Sequence, residues 1–442
     1  SPNNTGPAST GSAYLHIPLK RSVTSAFGEI LIPLISPEMN VPLVRKLSVD
    51  VSGRYDHYDD VGDTSNPKFA MDWELTEGFK IRANWASSFV APQLSSVGDR
   101  SRGGQTSFTS YAVSATNFTV NTLAFPSAIG LPGCSAAQAA AANNSCAISS
   151  SVQGVSFNGS PANPKPSLGR SWSVGFDLSP SIVPGLGMNV TLFNTAYINA
   201  ITGTSLSNAL NTPSLGLINF FPGGATVNQI NALLPPYATA SAPLPATTYY
   251  VLSTRQNNVL NLNIQGIDAS VNYSYPTDRA GDFNVGVDMS AFTMFKQHLK
   301  GGSQFNVLGS TGYNNTFGSV PVQGRAHLGW DFENFGAMVF ANYVSNYRNW
   351  SGNTVNPVVL VNGLPSGGGD KVRANVTFDL NLNYTLSDEG WTGRYLSGSQ
   401  LFVDIQNVLD KAPVFYNSAT GYDGYTGNPI GRLITFGIRT KF

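Results

Sequence analysis

Cys134 and Cys146 are the only two cysteines, and the eleven residues between them are rich in Ala and Asn. In an oxidising compartment that spacing predicts a disulfide pinning the tip of a loop. Zinc would need four ligands, and no histidine lies near either thiol in the sequence. A second candidate is the run Asp56-His57-Tyr58-Asp59-Asp60-Val61-Gly62-Asp63. Oxygen-rich loops can hold calcium, but the acidic spacing here lacks the regular Asp-x-Asp-x-Asp-Gly pattern and its distant Glu, so it reads as a solvated hairpin tip. His16, His57, His298 and His327 are isolated from one another, and none belongs to a metal or catalytic motif. No Gly-x-Ser-x-Gly elbow, phosphate-binding loop or Cys-x-x-Cys pair occurs. Gly301-Gly302-Ser303 and Gly367-Gly368-Gly369-Asp370 read as loop. The expectation is a protein without catalytic residues, metal ligands or cofactor, and not an enzyme.

The elements that would carry these residues are set by composition and period. Charged residues make up 11% of the 442, against about 25% in an average soluble protein. With 25 basic and 25 acidic side chains the net charge is zero, which removes the electrostatic footprint of a nucleic-acid partner. No apolar run approaches the ~18 residues of a membrane-crossing helix. Forty-five glycines and 27 prolines suit a chain of strands and turns.

Alternation of apolar and polar residues, the mark of a strand with one greasy and one wet face, recurs along the chain. Phe69, Met71, Trp73 and Leu75 interleave with Ala70, Asp72 and Glu74; Phe79, Ile81, Ala83 and Trp85 interleave with Lys80, Arg82 and Asn84. Val376 to Tyr384 puts Asp379, Asn381 and Asn383 opposite five large apolar groups, and the last segment runs from Ile434 to Phe442. Such strands are too long and too numerous for anything else in the chain to cover, whereas lipid could cover them. In a bilayer strands survive only as a closed barrel, apolar outside and polar inside. The sequence therefore predicts an all-β, transmembrane antiparallel β-barrel lying in outer-membrane lipid.

About thirteen spans are expected, near 13–35, 46–60, 64–76, 78–91, 167–179, 185–202, 256–276, 281–298, 319–334, 335–350, 372–387, 398–410 and 428–442. Short and long connections alternate, and the long set, led by 92–166 with its disulfide and by 203–255, is expected to be extracellular. Thr226 to Leu234 could form a short amphipathic helix in the second of these, capped by Thr226. Asn117-Phe118-Thr119 and Asn314-Asn315-Thr316 read as polar loop sequence. Asp72, Glu74, Lys80, Arg82 and Asp288 should face the lumen, too scattered along the chain to define a site. An odd count leaves an open edge, so a further segment should complete the wall.

Several stretches also resemble a known family. Ser25 to Leu34, Leu47 to Tyr58, Asn66-Pro67-Lys68, Ala86 to Pro92 and Asp404 to Pro413, together with a final strand ending on Phe442, resemble the barrel of TonB-dependent outer-membrane receptors. The resemblance implies a 22-stranded barrel of which residues 1–442 form the C-terminal part, with a plug and the first strands outside the matched region. It implies active uptake of a scarce nutrient (a ferric siderophore, a cobalamin-like complex or an oligosaccharide) energised through the TonB complex. Ligand contacts would come from loops around 92–166, 203–255 and 351–371. The rival readings are a passive or specific porin, and a barrel whose chief role is to bind a surface lipoprotein.

Overall fold

The computed structural model describes residues 20–94, 110–159, 164–233, 239–240, 243–311, 319–350, 359–361, 364–387, 396 and 398–440. Its frame is one antiparallel sheet whose thirteen main strands follow each other in chain order, each hydrogen-bonded to the next. We number them β1 (Val23–Ile35), β2 (Lys46–Tyr58), β3 (Gly62–Thr76), β4 (Phe79–Val90), β5 (Ser167–Leu178), β6 (Leu186–Thr202) and β7 (Asn257–Tyr275). The remainder are β8 (Asp282–Leu299), β9 (Val322–Phe332), β10 (Phe335–Val344), β11 (Asn375–Thr385), β12 (Gln400–Gln406) and β13 (Leu433–Arg439). Among the described residues no helix is long and apolar enough to cross a membrane; the strands are what span it.

The thirteen spans read from alternation coincide with these strands, but the bounds differ in instructive places. The span expected over 335–350 breaks at Ser345, whose hydroxyl accepts from the Val322 amide at 3.0 Å. Tyr347–Asn349 then joins a small separate sheet. The last span shortens to β13, and the expected end on Phe442 lies outside the described residues, as does the start of the first span. β7 reaches 19 residues, well beyond the mean strand length of about 5–6, because its upper half serves as a platform for the loops.

One rim carries the shorter connections, tight at β3–β4 and β9–β10 and longest over 386–399 between β11 and β12. Glu77-Gly78 joins β3 to β4, and Gly78 has φ +78° with Ser179 O only 2.2 Å from where a Cβ would sit, so only glycine fits this turn. The opposite rim carries the long connections, apart from the β2–β3 hairpin at 59–61.

Register sorts the side chains onto two faces. Val51 opposes Phe69, Leu47 opposes Trp73, and Ile81 opposes Phe176, so the apolar members of successive strands share one face. Val174, Val285, Val287, Leu328, Val339 and Phe378 on that face are exposed, as groups that lipid is to cover must be. Aromatics edge this band. Near the short turns Trp330 meets Phe332 and Phe335 at 6.0 and 5.9 Å, and Phe79 meets Phe176 at 6.1 Å. Toward the long loops the same face carries the exposed Tyr55 and Tyr343. Phe335 and Tyr343, both on this face of β10, are separated by roughly 26 Å of strand at about 3.3 Å per residue, enough for a tilted strand to cross the apolar band.

The described buried cores lie at the long-loop rim rather than in the wall. One gathers Val120, Leu131, Ile148, Phe220, Tyr250 and Leu252, a second Val155, Ile230 and Val251, and a third Leu260, Leu262, Phe295 and Val307. The two edge strands are bare: along β1 every residue but the last is exposed, and Phe27 and Phe436 retain 83% and 82% of their surface.

Candidate functional site

The two longest connections fold together. Ser110–Ser114 and Gly154–Asn158 from the first, with Ile218–Thr226, Thr239–Ala240 and Thr247–Ser253 from the second, form one five-stranded sheet. Runs such as Thr247-Thr248-Tyr249-Tyr250-Val251-Leu252 are rich in β-branched and aromatic residues and pair readily. Tyr250 anchors this cap: it is fully buried and its hydroxyl donates to Ser114 O at 3.0 Å. Its ring packs edge-on to Phe118 at 5.3 Å, and Gly154 lies so close that a Cβ there would sit 2.3 Å from the ring. Burial pushes the Tyr250 phenol up from its ordinary pKa. Cys134 and Cys146 are joined, with Cα atoms 5.4 Å apart, and both are buried in the same core. Between them Ser135 caps the helix Ala136–Ala141 through a reciprocal box with Gln138. The helix read from Thr226 forms as Val227–Leu233, and its Ile230 side chain is fully buried in the cap.

Charge is absent from this cap. Residues 103–164 and 178–254 contain no Asp, Glu, Lys, Arg or His. Charged side chains among the long loops sit mainly in 345–374 and 407–432, where Arg348, Asp370, Lys371, Arg373, Asp410, Lys411, Asp423 and Arg432 occur. There Tyr347 donates to Asp423 Oδ2 at 2.5 Å and Asn417 donates to Asp370 Oδ2 at 2.7 Å. Burial, reinforced by the Asp423 carboxylate, raises the Tyr347 phenol well above its usual range.

The polar face of the wall is a network rather than a scatter. Lys80 and Arg82 converge on Asp177 at 3.1 and 2.9 Å, and Arg82 also donates to Thr191 at 3.1 Å. Asn189 donates to the same carboxylate. Farther round, Asp379 accepts from Asn342 at 2.8 Å and from the Asn407 amide at 2.9 Å, with Arg325 at 3.4 Å. Of the expected lumen charges, Lys80 and Arg82 are thus brought together, while Glu74 pairs instead with Arg45. Asp177, Asp379 and Arg325 lie within alternating runs that mark them as polar-face residues, and only register reveals their partners.

The acidic hairpin divides its carboxylates. Asp56 is 1% exposed and takes Ser25 and Arg54 at 2.5 and 2.8 Å. Asp60 pairs with Arg21, and Asp63 takes Tyr55 and His57. His298 contacts Asn261 and His327 contacts Asn284; His16 and Asn314 lie outside the described residues.

Comparison with known proteins fits this geometry. The family model described as TonB dependent receptor-like, beta-barrel, matches residues 2–408. The chain belongs to the TonB-dependent receptor β-barrel family. A member of this family resides in the bacterial outer membrane as a multi-pass β-barrel. Among solved structures it is similar to the ferric enterobactin receptor PfeA of Pseudomonas aeruginosa, at 16% identity and TM-score 0.53 over 96% of this chain and 45% of that one. The siderophore receptor PirA of Acinetobacter baumannii gives 14% and 0.53 over 96% and 46%. The outer membrane transporter YddB of Escherichia coli gives 11% and 0.52 over 90% and 43%. The chain thus spans less than half the length of each of these receptors. No curated protein matches it.

Proposed function

We propose that this chain builds the larger part of the wall, and the ligand-facing loops, of a receptor for TonB-dependent uptake of a scarce nutrient too large for porins. The family match over residues 2–408 is the observation that carries this reading. Barrels of about 22 strands hold a plug in the lumen, and the hydrogen-bonding groups of the polar face, with Lys80, Arg82 and Asp177 among them, suit contact with such a plug. The long-loop rim is then extracellular, with the 92–166 and 203–255 connections forming a stapled cap over the entrance. The nutrient would be a ferric siderophore, a cobalamin-like complex or an oligosaccharide. Further strands and a plug would complete the wall beside β1 and β13, and the plug segment would engage TonB.

The test is accumulation of labelled ferric siderophore, cobalamin and maltodextrin by cells expressing the full receptor, with and without TonB. Uptake of one of them should be saturable and vanish without TonB. Accumulation that persists without TonB would make the protein a passive pore. A second reading, docking of a surface lipoprotein, is favoured by Phe415 and Tyr425, 71% and 101% exposed in the last long loop. Detergent extraction followed by affinity purification should then recover a stoichiometric lipoprotein, and purification of the receptor alone would discard that reading.

A further inference from the structure

A cavity of about 590 Å3 opens beside the small three-stranded sheet at the long-loop rim, where Ser310–Thr311, Tyr347–Asn349 and Asp370–Val372 pair. Asn306, Tyr347, Arg348, Trp350 and Lys371 contribute to its lining. Trp350 is 7% exposed, and its indole N–H finds no acceptor among the described residues. Gly369, at φ +74°, leaves room for that ring: a Cβ there would lie 2.5 Å from Trp350 Cδ1.

The charges around it have the same sign. Arg348 and Lys371 are directly opposite in the strand register, an arrangement that destabilises a sheet. Both are exposed, and neither pairs with a carboxylate among the described residues; Arg348 donates one hydrogen bond to Gly368 O at 2.9 Å. Strand alternation accounts for this separation from the acids nearby. Tyr347 and Asn349, on either side of Arg348, turn to the 413–428 loop, where Asp423 and the Asn417 carbonyl receive them at 2.5 and 2.9 Å. Asp370, on either side of which lie Gly369 and Lys371, is held by Asn417. The guanidinium and the ammonium are thus two cations with no anionic counterpart on their own face among the described residues.

We infer that this cavity binds a small soluble anion, a carboxylate or phosphate group attached to a ligand with a flat apolar portion that lies against Trp350. The cap carries no charge over 103–164 and 178–254, so an anionic ligand arriving from outside meets no cation in those stretches. The inference deepens the transport reading and rests on it, by assigning a negative charge to the nutrient.

Binding is measured on the full receptor in detergent, by calorimetry and tryptophan fluorescence, with citrate, inorganic phosphate and neutral maltotriose as probes. Citrate or phosphate should bind saturably, with maltotriose silent. Arg348→Gln and Lys371→Gln should each weaken the anion about tenfold, as loss of a charge-assisted hydrogen bond does. Trp350→Phe, which replaces the indole with a smaller aromatic ring, should weaken it a few-fold and remove the fluorescence response. Equal anion affinity in the Arg348→Gln/Lys371→Gln double variant would overturn the site. So would the absence of saturable binding by either anion, or a response only to micelles carrying phosphatidylglycerol. Anion binding that survives in a receptor shown to transport without TonB would leave this site standing and remove the uptake reading. TonB-dependent uptake without anion binding would do the reverse.

Discussion

At the scale of single residues, the side chains that matter most are those whose neighbours cannot move away. Gly154 sits under the Tyr250 ring, so any Cβ must displace a fully buried aromatic. Gly154→Val is expected to destabilise the cap by about 1–3 kcal/mol, the usual scale of overpacking, while the wall remains folded. Limited proteolysis should show new cuts within 110–158 and none in β5 to β11. The Cys134–Cys146 bond acts on the same unit. Paired Cys134→Ser and Cys146→Ser replacements should lower cap stability by about 2–4 kcal/mol in a chain-entropy account. Hydrogen exchange should read that loss in 118–148, with the β6–β7 amides unchanged.

At the scale of elements, each strand separates two solvents. Val339 lies on the apolar face of β10 midway between Phe335 and Tyr343, whereas Asn342 lies on the polar face and donates to Asp379. Val339→Arg should cost about 2–4 kcal/mol, as a charge near the bilayer midplane does, and Asn342→Lys far less. Refolding yield into lipid vesicles, scored by heat-modifiable gel mobility, separates the two. The contact between Tyr347–Asn349 and the last long loop has a pH signature. The Tyr347 phenol is raised by burial and by Asp423, so the folded state holds its proton more tightly than the unfolded chain. Its contribution is complete below the unfolded tyrosine pKa of about 10 and is lost as pH climbs above it. Protection of 347–349 should therefore fall on the alkaline side in wild type, and Tyr347→Phe should flatten that dependence.

At the scale of the whole molecule, the sheet ends in two strands whose outer hydrogen-bonding groups have no partner among the described residues. Lipid supplies none. In the full receptor in a bilayer, the outward amides of β1 and β13 should exchange as slowly as those of central strands. Rapid exchange at both edges would mean that no further strand completes the wall. The same geometry explains why the cap is built as a small globular unit. Two connections of this length need a core of their own, since the wall spends its apolar residues on lipid.

Alternation in the chain was enough to reveal the strands, their two faces and their approximate number, because a period of two survives any register. Leu47 to Val51, Phe79 to Trp85 and Val376 to Tyr384 declare themselves without a partner. The Cys134–Cys146 pairing was legible too, with only two thiols to join. Which polar groups meet was not. Arg82 reaches Thr191 across 109 positions, and Tyr250 reaches Ser114 across 136. The cavity at Trp350 exists because Arg348 falls opposite Lys371. Such meetings depend on strand order, register and the folding of one loop onto another, quantities that long-range backbone pairing decides and that no local pattern encodes.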